Sequence, residues 1–509
     1  NSMSVAAGDI DDDGDLDLVF GDAGPDTFLP PGGLARLLVN DGTGVFAEAP
    51  GQLGAVLKPG SQNARFIDLD QDCDLDIVVD GKSPVTQLYV NDGTGHFSLD
   101  LTTVPSSPAG SFANSYEIDF GDLDGDGDFD AAVMNVGSVL VDAIATNTLA
   151  QTGSLSFGPA DTSVLSSDNC HDENDFAFLD ADDDGDLDLL VGALPFNVGC
   201  GTLTSEKLYR NTGALGPGSL QWVAGAFDVE PDATRDLAVA DFDGDGAYDV
   251  VSAQGEYQPF ANVYHRNTGP ADSHAPSLLA ASDVPLTVPV GALAAGWPRR
   301  TVWQDAVMDD GRSLLDAELT VTTSKAGEAS VSTTPMSAVG GYVFRGEVTA
   351  QAGPAGLVGA DVSWQVEATD PMGNSALSPS WSTRVCGSET YGSPSPTPAL
   401  SFTASGLPEE GGSTTLQLTG GPAGAEALLL VGLGRASLPA KGGTLLVDPG
   451  TLFLLDLQLD GSGGFSVPVP FAAGDATLAL TLQVAVFDGA QAAGVSFSEG
   501  LELVVCEAR

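Results

Sequence analysis

Basic residues are scarce in this chain: 17 lysines and arginines face 71 aspartates and glutamates over 509 residues, a formal charge of −54. That balance repels nucleic-acid phosphate and calls for bound cations or a saline medium. Cysteine is nearly absent, with only Cys73, Cys170, Cys200, Cys386 and Cys506. Five thiols are too few for a disulfide-dense scaffold and suit occasional staples in an exported chain. No apolar run reaches the ~18–20 residues that a membrane-spanning helix needs. Histidine occurs at four scattered places, His96, His171, His265 and His274, and the run His171-Asp-Glu-Asn-Asp175 reads as a solvated loop. A Gly-x-Ser-x-Gly elbow, a His-Glu-x-x-His pair and a phosphate-cradling glycine loop are all missing. The expectation is a protein that is not an enzyme.

What is present is acid, and it is unevenly spread. Residues 1–270 hold 47 of the 71 acidic side chains. Most of them fall in five loops of one register, beginning at Asp9, Asp68, Asp122, Asp180 and Asp241, with steps of 59, 54, 58 and 61 residues. Position 3 is Asp11, Asp70, Asp124, Asp182 or Asp243, and position 5 is Asp13, Asp72, Asp126, Asp184 or Asp245. Position 9 is Asp17, Asp76, Asp130, Asp188 or Asp249. Calcium takes six to eight hard oxygen ligands at about 2.3–2.6 Å, and carboxylates at positions 1, 3, 5 and 9 converge on one point if position 6 turns the chain sharply. Position 7 is Asp15, Asp74, Asp128, Asp186 or Ala247. The alanine implies that this position gives its backbone oxygen. The expected cofactor is therefore calcium, about one ion per loop.

An EF-hand fits poorly, because it needs a glutamate at position 12 and flanking helices. Here Leu16-Asp17-Leu18-Val19-Phe20 and its counterparts read as short strands. A second marker repeats in phase, at Asn40-Asp41-Gly42, Asn91-Asp92-Gly93, Asn147-Thr148, Asn211-Thr212-Gly213 and Asn267-Thr268-Gly269. These are hairpin-turn residues. Each unit thus reads as about four antiparallel strands, and a period near 58 residues suggests radial blades.

The Asp-x-Asp-x-Asp-Gly-x-x-Asp loops and their following strands resemble the FG-GAP or VCBS repeats of integrin-α-like β-propellers. The resemblance implies an all-β fold, with residues 1–272 as a calcium-binding propeller of five visible repeats. Seven blades are common in that family, so blade number stays open. Cys73 stands where the turn glycine belongs, which implies strain and a second site that loses calcium first. Its thiol is read as free or as paired to another chain. Cys170 and Cys200 flank the fourth loop as one disulfide candidate, and Cys386 with Cys506 is another.

Beyond residue 272 the acidic loops stop. Residues 273–388 alternate in the manner of a β-sandwich, and Trp364-Gln-Val-Glu-Ala-Thr-Asp-Pro-Met-Gly-Asn374 resembles a strand and turn of fibronectin type III-like modules in bacterial exoproteins. Residues 389–398 carry a Ser-Pro-Ser-Pro-Thr-Pro run, read as an extended linker. Residues 399–509 are similar to a C-terminal β-sandwich of secreted planctomycete-type bacterial proteins. The whole reads as a secreted or cell-surface protein for adhesion, surface structure or filament assembly. Its expected partners are proteins or polysaccharides at the cell surface, or copies of itself. The alternative is a secreted polysaccharide-active, lyase-like enzyme or a carbohydrate-binding protein using the propeller face.

Overall fold

Each acidic loop is bracketed by apolar, β-prone runs, and in every repeat those runs pair as a hairpin with the loop at its tip. The computed structural model describes residues 2–22, 34–49, 51–53, 61–81, 86–104, 115–135, 142–165, 173–193, 206–228, 233–255, 260–308, 313–353, 356–396 and 400–508. The first repeat has β1 (Ser2–Gly8), β2 (Asp17–Asp22), β3 (Arg36–Asn40) and β4 (Phe46–Glu48) in sequential order. The second has β5 (Ser61–Ile67), β6 (Asp76–Gly81), β7 (Gln87–Asn91) and β8 (Phe97–Asp100). The third has β9 (Ser115–Gly121), β10 (Asp130–Asn135) and β11 (Ala143–Ala145), then a single helical turn, Leu149–Thr152. The fourth has β12 (Glu173–Leu179), β13 (Asp188–Ala193), β14 (Lys207–Arg210) and β15 (Gln221–Trp222). The fifth has β16 (Thr234–Ala240), β17 (Asp249–Gln254) and β18 (Val263–His265).

The register is the same throughout. Gly8 faces Asp17, Ile67 faces Asp76, Gly121 faces Asp130, Leu179 faces Asp188 and Ala240 faces Asp249. Position 9 of each loop is therefore the first residue of the second strand. All five hairpins also shift register at their far end, as between Ser61 and Asn63 or Thr234 and Asp236. The sheets stack in series through their first strands: β1 on β5, β5 on β9, β9 on β12 and β12 on β16.

A closed propeller is not seen among the described residues. What the fold shows is an all-β chain of several small antiparallel sheets followed by sandwich-like units. Strand Ser337–Gly340 of the following domain lies against β1, and Val307–Met308 adds to the fourth sheet by pairing with β12. The buried core of the first four repeats runs on without a break into Val302, Met308, Val339, Tyr342 and Val343. Gly340 and Gly341 make this approach possible. A Cβ on Gly340 would sit 2.5 Å from the Ala7 carbonyl oxygen, and one on Gly341 would sit 2.9 Å from Ile67 Cα. Both have positive φ, 101° and 53°.

The middle domain is two facing sheets. One contains strands Ser277–Ala281, Trp297–Gln304, Val343–Val348 and Ser337–Gly340; the other contains Glu328–Pro335, Asp316–Lys325, Asp361–Thr369 and Trp381–Tyr391. Trp303, Leu319, Trp364 and Val385 fill the space between them. Alternation of buried and exposed residues along Asp316–Lys325 and Asp361–Thr369 follows the two-residue strand period.

Strand Trp381–Tyr391 belongs to two domains at once. Its first part pairs with Asp361–Thr369, and Gly387–Tyr391 pairs with Gly500–Val504. Where the sequence suggested a linker from residue 389, the strand runs to Tyr391. Ser395 is buried and its Oγ donates to the Gly442 carbonyl at 2.6 Å. Ladder pairing satisfies backbone groups that a free linker would leave to water. Cys386 and Cys506 form a disulfide beside this shared strand. Cys170 and Cys200 lie outside the described residues.

Candidate metal centres

The two in-phase sequence markers turn out to be one device. The position 9 carboxylate accepts the N–H of the hairpin asparagine in every repeat: Asn40 on Asp17 at 2.8 Å, Asn91 on Asp76 at 2.9 Å, and Asn147 on Asp130 at 2.9 Å. Asn211 on Asp188 and Asn267 on Asp249 follow at 2.7 Å each. Its other oxygen accepts the N–H of position 2, from Ile10, Leu69, Leu123, Ala181 or Phe242. Two asparagines also reach the preceding repeat. Asn91 Nδ2 donates to the Ile10 carbonyl and Asn211 Nδ2 to the Leu123 carbonyl, both at 2.8 Å. Loop, hairpin and neighbouring repeat are thereby tied at one point.

The turn is equally uniform. Position 6 has a positive φ in Gly14, Cys73, Gly127, Gly185 and Gly246. Its N–H donates to the position 1 carboxylate in all five loops. The position 7 N–H donates to the position 5 carboxylate in all five, including Ala247 to Asp245 at 3.1 Å. Position 4 is left-handed too, as Asp12, Gln71, Gly125, Asp183 and Gly244. Sequence reasoning passed over that second requirement, although glycine in two of the five loops was its signal.

Carboxylate oxygens converge as a cation requires. One oxygen from each of Asp9, Asp11 and Asp13 lies within 4.8 Å of the others, and the same holds for Asp68, Asp70 and Asp72. It holds again for Asp122, Asp124 and Asp130, and for Asp180, Asp182 and Asp188. That spread suits ligands each about 2.3–2.6 Å from a shared calcium. Buried oxygens without any hydrogen-bond partner point the same way: Oδ1 of Asp9, Asp11, Asp68, Asp70 and Asp182. Several of these clusters can thus chelate a metal ion. Without one, burial pushes Asp130 up to about 8, Asp188 to about 7 and Asp17 to about 6. Asp68 and Asp76, buried among other carboxylates, rise well above the usual range.

Position 7 side chains differ between repeats. Asp74 pairs with Arg300 at 2.6 Å, Asp128 accepts the Ala150 N–H at 2.7 Å, and Asp15 and Asp186 are half-buried. In the last two loops an arginine just before the hairpin asparagine folds back onto its own loop. Arg210 pairs with Asp182, and Arg266 pairs with Asp243 and with Asp245.

The middle domain packs against the first four loops. Val339 O accepts the Asp9 N–H, Gln304 Oε1 accepts that of Asp122, and Ala306 O accepts that of Asp180. Arg300 and Arg345 both pair with Asp12, and His274 Nδ1 lies 2.9 Å from Asp183. Cys73 is 1% exposed beneath Arg300, and burial together with Asp68 and Asp72 pushes its thiol well up. The expected bond from Cys73 to another chain does not fit this placement, since a fully covered thiol offers no access.

Nearest to a catalytic grouping among the described residues are Ser252, His265 and Glu206. Ser252 Oγ lies 3.4 Å and Glu206 Oε2 3.5 Å from the same ring nitrogen, Nε2. A relay needs the acid and the nucleophile on opposite nitrogens. His171 lies outside the described residues.

No protein-family model matches the chain, and no curated protein does. Among solved structures it is similar to the tetra-tandem repeat in the extending region of a large adhesion protein, at 10% identity, with 98% of each chain covered and a TM-score of 0.17. A Ca2+-stabilized adhesin of an Antarctic bacterium gives 13% identity, 99% of each chain and a TM-score of 0.14. Chicken CNTN1 FN1-FN3 domains give 8% identity over 66% of this chain and 96% of theirs, with a TM-score of 0.18. Scores this low carry no property across. No helix among the described residues is long and apolar enough to cross a membrane.

Proposed function

We propose that this is a non-catalytic, calcium-stabilised extracellular or cell-surface protein serving adhesion, surface structure or filament assembly. In this reading the repeats are FG-GAP/VCBS-type propeller blades, each holding calcium through its position 1, 3, 5 and 9 carboxylates and the position 7 backbone oxygen. The supporting observation is the recurrence of one carboxylate cluster, its position 1 member buried, at the same hairpin tip of the first four sheets and beside the middle domain. A metal so held supplies charge neutralisation and rigidity.

Counting bound calcium by native mass spectrometry tests the metal part, with about one ion per loop expected and none overturning it. Incubation with anionic and neutral polysaccharides, followed by product analysis, tests the non-catalytic part. Intact polymer is the expected result; shortened chains would overturn it. Calcium-dependent retention of the intact protein on cell-surface protein or polysaccharide, or its sedimentation as an assembly, is the positive expectation.

A further inference from the structure

A second kind of acidic site lies at the joint between the repeats and the middle domain, outside the five loops. Asp272 follows the fifth repeat and is anchored by its N–H to the Gly246 carbonyl at 2.8 Å. Asp305 follows strand Trp297–Gln304, and Asp370 ends strand Asp361–Thr369 at a turn. Asn374 Nδ2 ties two of these segments, donating to Asp370 Oδ2 at 2.8 Å and to the Asp272 carbonyl at 3.2 Å, and the charges of all three aspartates act on Tyr248. Tyr248 joins them from the fifth loop, its hydroxyl 3.4 Å from Asp272 Oδ2.

Asp305 is the informative member. It is 7% exposed, and neither of its carboxylate oxygens has a hydrogen-bond partner. Burial, with the charges of Asp370 and Asp272, pushes it up to about 7, and the adjacent Ala306 N–H opposes this only in part. The other donors nearby are engaged elsewhere. Asn374 gives its backbone and side-chain N–H groups to Asp370, both at 2.8 Å, and the His274 N–H goes to Asp272 at 3.0 Å. The His274 ring faces Asp180 and Asp183 of the fourth loop instead. An unpartnered buried carboxylate beside two others is costly unless a cation compensates.

We propose that Asp272, Asp305 and Asp370, with the Tyr248 hydroxyl beside them, form an interdomain site for a hard divalent cation, calcium first, which locks the middle domain onto the fifth repeat. Three carboxylates from three segments make an ion there a joint between domains, whereas each loop ion is local to one hairpin. The inference goes beyond the function proposed above and does not need the loops to be filled.

The test is an ion count on the full chain at saturating calcium, by native mass spectrometry. Asp305→Asn should bind one ion fewer than the unmodified protein. Asp122→Asn with Asp124→Asn, in the third loop, should remove a different ion, and the combined variant should lose two. An unchanged count in Asp305→Asn, with a higher melting temperature in chelator, overturns the site in favour of a buried protonated acid. Failure of the loop reading would show instead as no loss in the third-loop variant. Anomalous diffraction from crystals of the unmodified protein in calcium gives an answer without any variant. A peak among the three carboxylates supports the site, and peaks in the loops with none at the joint overturn it.

Discussion

The acidic repeats and the two sandwich domains solve the same packing problem with opposite materials. In the sandwiches, facing sheets bury tryptophan, leucine and valine against each other, and a disulfide pins the strand that both share. In the repeats, each small sheet is anchored at its tip by carboxylates whose mutual repulsion opposes folding until something neutralises it. The first region should depend on ions and pH, and the second on apolar area and one covalent bond.

Chelation should separate the two most sharply. A site at free calcium about 100-fold above its Kd adds about 2.7 kcal/mol, so calorimetry in EDTA should show the repeat transition fall steeply while the C-terminal sandwich melts nearly as before. Equal shifts of every transition would erase the comparison. The pH response should then invert with calcium. In the ion-free state the folded protein holds protons on Asp130, Asp188 and Asp17 that the unfolded chain releases, because their pKa values are raised to about 8, 7 and 6. Its stability therefore rises as pH falls from above 8 toward the ordinary carboxylate range. With calcium bound the same groups must be charged, so acid destabilises. Melting curves across pH with calcium and with chelator check this, and parallel slopes would refute it.

Opening the disulfide probes the other side of the comparison. The bond closes a separation of 120 residues, and Cys386→Ala with Cys506→Ala should cost about 2–5 kcal/mol. Denaturant unfolding should place that loss in the sandwich transition. A smaller effect is expected from Cys73→Gly. Its φ of 70° matches the turn glycines of the other loops, and relief of a left-handed non-glycine residue should gain about 1 kcal/mol. A measured loss would mean that packing of the buried sulfur outweighs the strain. Smallest of all, Arg266→Ala should tighten calcium at the fifth loop by about a few-fold, since the guanidinium and an ion share Asp243 and Asp245. Site-resolved titration would show it.

The loops were legible because carboxylates at fixed spacing converge whatever surrounds them, and the hairpin asparagine was visible as a turn signal in the same phase. That the asparagine N–H lands on the position 9 carboxylate was not legible, because it joins residues 15 to 23 apart across a sheet. The pairing of Gly387–Tyr391 was hidden for a similar reason: a Ser-Pro run just beyond it looks extended, and its partner strand lies more than a hundred residues later.

Sequence alone determined the all-β class, the repeat and the acidic register, since strand periodicity and ligand spacing are local properties. Tertiary structure alone decided that the middle domain packs into the repeat core and against the first four loops. Gly340 and Gly341, Arg300 and Arg345, and the buried Asp305 carry no local signal. Their roles exist only once distant segments meet, where burial removes water and every charge needs a partner.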